Sequence, residues 1–217
     1  MANHGDPCMT VNFRGLFRLD EEVSGQSWSA LHPHWFRAPI YLPMIHGWYR
    51  EVFVHFGQEP ASFGRARCVW LTGEVYARTE LRDTMIRVRA GFAVVQDDYV
   101  SQLPAPLPII TAHSRGYVLR FDRRNFDRWI IVALHNISDN SSAQVIHFNV
   151  FYEASNEVVA AIGEEVFKLG NIVNFHGEVM HYFRRSGKWV VKLRAAHSES
   201  MVRPTGMMQR RRALALY

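Results

Sequence analysis

The chain has 217 residues, of which 48% are hydrophobic and 21% charged, with a formal net charge of +5. These totals exclude wholesale disorder and supply enough apolar residues for a sizeable core. Two cysteines, Cys8 and Cys68, are too few for a disulfide framework and fit a reducing compartment. No apolar run reaches the roughly 18 residues of a membrane helix, and the polar segment 1–10 reads as lacking a secretory signal.

Residues 1–34 read as an extended N-terminal arm with one short apolar piece, Val11–Phe17. Residues 35–200 read as a single β-rich domain and 201–217 as a basic C-terminal tail. Prolines at 33, 39 and 43 argue against helix in that region. For 48–56, aromatic and β-branched content favours a strand, while Val52, Phe53 and Phe56 also fit helical spacing, and both alternatives stay open. Residues 65–77 predict a strand with a bulge or bend at Gly73. Residues 84–95 predict two short strands, or one strand kinked at Gly91. Asp97–Leu103 fits a helical turn before Pro104, Pro106 and Pro108. Ile109–Ala112 and Gly116–Phe121 follow as strands.

The clearest element is the hairpin 128–152. Ile146, Phe148, Val150 and Tyr152 alternate with Val145, His147, Asn149 and Phe151, the period of a half-buried strand. Trp129–Leu134 is a continuous apolar run suited to burial on both faces. The polar cluster Asn136–Ser142 supplies the turn, and its two glycosylation sequons are read as chance matches. Next, Val158, Val159, Ile162, Val166 and Leu169 predict an amphipathic helix over 156–169, capped by Ser155 or Asn156 and stopped by Gly170. A second hairpin joins 177–183 to 188–194 through Arg184–Gly187. No internal repeat, heptad run or low-complexity segment stands out. These elements point to a mostly β fold, a sandwich or a barrel, with one or two short helices.

The charge is unevenly placed. From Arg184 onward there are nine Lys/Arg against one acid, a net of +8, while the other 183 residues carry 16 bases and 19 acids. A concentrated basic end is an electrostatic footprint for a polyanion. The nucleic-acid-binding candidates are Arg184, Arg185, Lys188, Trp189, Lys192, Arg194, Arg203, Arg210, Arg211 and Arg212. Aromatics beside arginine, as at Tyr182–Arg185, suit base stacking, although most aromatics are assigned to core and interface packing.

Catalysis and metal binding find little support. His32 and His34 are the only close histidine pair, without other ligands at zinc spacing. His135 and His147 lie on facing strands, yet two histidines do not make a zinc site. Asp97-Asp98 and Glu164-Glu165 are adjacent pairs whose side chains diverge, and no nucleophile elbow or phosphate-cradling glycine loop is present. The expectation is a protein that is not an enzyme, with no cofactor and no metal site.

The hairpin followed by Val145–Asn156 resembles the last two strands of picornavirus-like jelly-roll coat proteins, with Asn12–Arg18 as an arm and Arg65–Trp70 as an upstream strand. This resemblance implies an antiparallel, jelly-roll-like β-sandwich and a capsid subunit that assembles with itself or sister subunits around nucleic acid, RNA in the first instance, in the virion or host cytoplasm. The helix at 156–169, the last hairpin and the non-basic arm depart from it. A second resemblance is to the Whirly family and the related trypanosomatid guide-RNA-binding proteins, through strands 116–121, 129–135 and 145–152 followed directly by a helix. It implies an oligomer, a tetramer in that family, that binds single-stranded RNA or DNA along its sheets, in an organelle such as the mitochondrion. Neither resemblance implies a membrane partner.

Overall fold

In a computed structural model, residues 8–20, 22–23, 35–43, 48–56, 67–78, 83–95, 108–139, 144–183 and 186–199 are described. In chain order they form β1 (Val11–Leu19), β2 (Trp35–Leu42), β3 (Trp48–Phe56), β4 (Arg67–Arg78), β5 (Asp83–Val95), β6 (Thr111–Asn125), β7 (Arg128–Asp139) and β8 (Gln144–Ser155). Helix α1 (Asn156–Ile162) precedes β9 (Ile172–Phe183) and β10 (Lys188–Ser198).

The last five strands hydrogen-bond in the order β6-β7-β8-β10-β9, and β9 returns to pair with β6. The circuit is therefore closed. All its pairings are antiparallel except β8 with β10, and α1 is inserted between its third and fourth strands. The first five strands follow the same order, β2-β3-β5-β4-β1, with β3 and β5 parallel. Their closure runs through the residues just past β1: Glu22 bridges Phe36, and the Asp20 and Val23 amides donate to the Arg37 and Trp35 carbonyls at 2.8 and 2.7 Å. Each set is a five-stranded Greek-key barrel of OB type. The expected sandwich is corrected accordingly. Closure satisfies the edge strands that a two-sheet sandwich leaves open, and it requires one parallel pair, which alternation within a strand cannot reveal.

The two barrels share a sequence signature, so the expected absence of an internal repeat is corrected. Arg14-Gly15 on β1 corresponds to Arg115-Gly116 on β6, and Gly73-Glu74-Val75 on β4 to Gly177-Glu178-Val179 on β9. The second triplets also pair alike. Gly73, Glu74 and Val75 face Val88, Arg87 and Ile86, while Gly177, Glu178 and Val179 face Leu193, Lys192 and Val191. A Cβ at Gly73 would strike Ile86, one at Gly177 the Lys192 carbonyl, and one at Gly116 the His135 ring. Close approach, rather than a turn, explains these three glycines.

The first strands of the two barrels pair with each other, Asn12 opposite His113 and Val11 opposite Ser114. Asn12 and His113 are themselves equivalent positions in the repeat. The β1–β6 seam thus sits on a local two-fold, self-complementary in the manner of an isologous interface. Residues 11–19, expected in an extended arm, therefore lie inside the sheet because Val11, Phe13, Phe17 and Leu19 are at most 3% exposed. One continuous core crosses the seam, where Phe13 meets Trp189 edge-on at 5.1 Å and the Trp189 indole donates to Thr84 Oγ1 at 3.1 Å.

The predicted helix 156–169 is shorter than expected. Ser155 caps it by accepting from the Val158 amide, and Gly163, at φ 93°, ends it. A 3-10 turn over Glu164–Phe167 follows and swings Phe167 inward. There Phe167 lies 5.3 Å from Phe121, which stacks on Trp129 at 4.6 Å, so the segment plugs the open end of the C-terminal barrel. Burying Phe167 and Val159 contributes roughly 1.5–3 kcal/mol each. Several expectations match: the hairpin 128–152, the irregularity near Gly73, and the last hairpin. Residues 48–56 resolve as strand, and 83–95 as one strand. Asp97–Leu103, His32, His34 and the tail lie outside the described residues.

Candidate nucleic-acid interface

Period-two alternation assigns the outer face of the C-terminal barrel. Ile131, Ala133, Val150, Tyr152, Trp189 and Val191 point inward and are at most 1% exposed. Their neighbours Val132 and Leu134 on β7, Asn149, Phe151 and Glu153 on β8, and Lys188 and Lys192 on β10 point outward. At the centre of this face Lys188 Nζ sits 5.0 Å from the Phe151 ring centroid. Phe151 lies 6.5 Å from Phe183, which in turn meets His181 edge-on at 4.5 Å. Phe183 is 40% exposed. The result is an aromatic platform with a cation over it, a geometry that suits π-faces beside negative charge.

Two polar atoms of the platform, Asn149 Oδ1 and His181 Nδ1, have no hydrogen-bond partner. Such atoms cost stability unless something satisfies them. Desolvation holds His181 below the usual imidazole range, and the Glu153 carboxylate pulls it partly back, so at neutral pH the ring is an uncharged donor–acceptor.

Two turns flank the platform. The β9–β10 turn carries Arg184 and Arg185, whose placement lies outside the described residues. The β6–β7 turn presents Phe126, 91% exposed, among Arg123, Arg124 and Arg128. Arg124 and Arg128 approach Glu153 at 2.8 and 3.8 Å, which neutralises that carboxylate on the face. From Asn149 to Ser155 the face runs roughly 20 Å at 3.3 Å per residue.

The sequence candidates divide. Lys188 and Lys192 are on the platform or beside it. Arg194 is bound to Glu178 through two hydrogen bonds of 3.0 and 2.9 Å, an exposed pair that still leaves it at the surface. Trp189 is corrected: it is 1% exposed and packed against Phe13 and Tyr182, so it belongs to the core and cannot stack on a base. Arg203, Arg210, Arg211 and Arg212 lie outside the described residues. Sequence reasoning missed Phe151, Phe183, His181, Asn149, Phe126 and the arginines of the β6–β7 turn. Alternation along β10 was an available signal for one distinction only, since it puts Lys188 and Trp189 on opposite faces.

His135 and His147 do not meet. His147 pairs with Asn136, one residue along, so its side chain is exposed while His135 points into the barrel. His135 instead forms a buried chain. Its Nδ1 donates to the Arg115 carbonyl at 2.9 Å, which makes Nε2 the acceptor for the Tyr152 hydroxyl at 3.0 Å. Ser114 then donates to Tyr152 at 2.6 Å. Burial drives His135 down to about 4, with backbone hydrogen bonds to Arg115 and Met9 opposing, and burial pushes the Tyr152 phenol up. A neutral, fully satisfied chain inside a core serves structure. Among the described residues no group of three His, Cys, Asp or Glu side chains is placed to hold a metal ion, and no helix is long and apolar enough to cross a membrane.

No family model and no curated protein matches the chain. Among solved structures it is similar to a deletion variant of the single-stranded DNA-binding protein from Thermus aquaticus. That similarity has 11% identity and a TM-score of 0.46, and covers 91% of this chain and 97% of that one.

Proposed function

We propose that the chain is a single-stranded nucleic-acid-binding protein that takes its ligand along the outer β7–β8–β10–β9 face of the C-terminal barrel. The observation that carries this reading is the platform of Phe151, Phe183 and His181 under Lys188, with Asn149 Oδ1 and His181 Nδ1 unpartnered. Bases have π-faces for the rings, donors and acceptors for the free polar atoms, and phosphates for the lysines and turn arginines. OB-type barrels present this same face, between the strand 1–2 and strand 4–5 turns, to oligonucleotides. A duplex hides its base faces, so single strands are the matching ligand. The role is binding and not catalysis, and the basic tail adds phosphate contacts. Self-association accompanies binding in this reading. The closed barrels remove the structural basis for the coat-protein resemblance, because the hairpin 128–155 forms second and third barrel strands rather than the close of a sandwich.

The test is a fluorescence-anisotropy titration with labelled oligo-dT, oligo-rU and a mixed duplex, together with light scattering. Saturable binding of a single strand, weaker for duplex and falling with salt, supports the reading. Equal affinity for duplex and single strand would refute it.

A further inference from the structure

On the β6–β9 flank of the C-terminal barrel, at the two-fold seam, lies a groove of about 460 Å³. Its lining includes Asn12 of β1, His113 and Ser114 of β6, Asn174 and His176 of β9, and His197 of β10. None of these residues belongs to the platform described above. His113 and His176 stack with centroids 4.2 Å apart and planes 18° from parallel. The Asn174 amide nitrogen is 3.2 Å from His197 Nε2 and donates to Glu199 Oε1 at 2.9 Å.

The charge bookkeeping around the groove is one-sided. Glu199 is taken up by Arg115 at 2.5 Å, Glu178 by Arg194, and Glu74 by Arg87 at 2.8 Å. Every carboxylate facing the seam from β4, β9 and the residue just past β10 therefore has a guanidinium partner. Arg14 of β1 is outside that lining but pairs with Thr111, which puts it on the same sheet face as the Asn12–His113 pair, and it has no ion pair among the described residues. Among the described residues, what remains uncompensated beside the groove is the Arg14 charge. A divalent cation does not fit, because two rings stacked face to face cannot aim their lone pairs at one ion, and no three-ligand group exists among the described residues. Carboxamides, imidazoles and a guanidinium are donors suited to a tetrahedral oxyanion.

We propose that this groove is a phosphate-binding site, in which Arg14, His113 and His176 receive the anion and His113 takes up a proton as it enters. Desolvation, the neighbouring His176 and the Arg14 charge all hold the His113 proton affinity down. A phosphate seated against them offsets the last two effects, so binding strengthens as pH falls. The groups facing His113 are Arg14 of β1, Arg115 of its own strand, His176 and the paired Glu178 of β9, His197 of β10 and the paired Glu199 just past it. The phosphate comes either from a nucleic-acid strand crossing the seam or from a free phosphate ester. The chemistry is common to both, and the site stands whether or not the platform binds single strands.

The experiment titrates inorganic phosphate into the full chain and follows the histidine ring signals by NMR at pH 6.0 and 8.0, at constant ionic strength. The result expected is a saturable shift of the His113 and His176 signals, several-fold weaker at pH 8.0, with the exposed His147 signal unmoved. Arg14→Gln and His113→Gln, both at exposed side chains and checked for folding by circular dichroism, should each weaken it several-fold. An oligonucleotide that displaces phosphate from these signals identifies a strand as the source. One that binds without displacing it identifies a free phosphate. No saturable shift at pH 6.0, a response equal at both pH values, or one unchanged in folded Arg14→Gln,His113→Gln protein would overturn the proposal.

Discussion

Replacing His135 by glutamine should remove a measurable part of the pH dependence of folding. In the folded protein burial holds this imidazole near 4, whereas an unfolded-chain histidine titrates at about 6.5. Between those values the unfolded state binds more protons, so stability is complete above about pH 6.5 and declines as pH falls toward about 4. A difference of about 2.5 units at 1.36 kcal/mol each makes the loss roughly 3 kcal/mol by pH 4. Glutamine can donate to the Arg115 carbonyl and accept from Tyr152, replacing the hydrogen bonds of 2.9 and 3.0 Å without titrating. Urea unfolding of both proteins from pH 4.5 to 7.5 reads the slopes. The wild-type slope should exceed that of His135→Gln by about 1 kcal/mol per pH unit near pH 5. Parallel slopes would show that His135 is not buried neutral, and the tautomer and relay assigned to it would fail.

Three further outcomes follow from the packing. Trp189→Ala should destabilise by about 3–5 kcal/mol in thermal or urea unfolding, because the ring fills the seam between Phe13 and Tyr182. A loss of oligonucleotide affinity without loss of stability would restore Trp189 as a binding residue. Gly116→Ala should cost roughly 1–3 kcal/mol, since its methyl overlaps the His135 ring, and an unchanged melting temperature would contradict that close approach. Deleting residues 200–217 removes four arginines and should flatten the salt dependence of nucleic-acid binding. An unchanged slope would remove the tail from the interface.

The hairpin 128–152 and the final hairpin were legible because alternation is a local signal that strand burial enforces. Barrel closure was not, since the β6–β9 pairing and the parallel β8–β10 pairing join residues far apart and leave no mark on strand periodicity. The repeat was hidden for a related reason. Gly15 and Gly116 are 101 positions apart, Gly73 and Gly177 are 104 apart, and loops of unequal length destroy any constant period. What survives is confined to backbone close approaches and the Glu-Val positions beside them. In the candidate site, attention to positive charge found Lys188 and Lys192 but drew in Trp189, which alternates inward. Phe151 and Phe183 carry no charge and looked like core residues. Their exposure depends on which side of β8 and β9 the barrel closes, and local sequence does not contain that.

The central claim is tested most directly by titrating a labelled single-stranded oligonucleotide into wild-type, Phe151→Ala and Phe183→Ala proteins, with folding checked in parallel. Each lost stacking contact is worth about 1–3 kcal/mol, so each variant should bind about 5- to 150-fold more weakly at unchanged stability. Wild-type affinity in both folded variants would contradict the platform as the binding face.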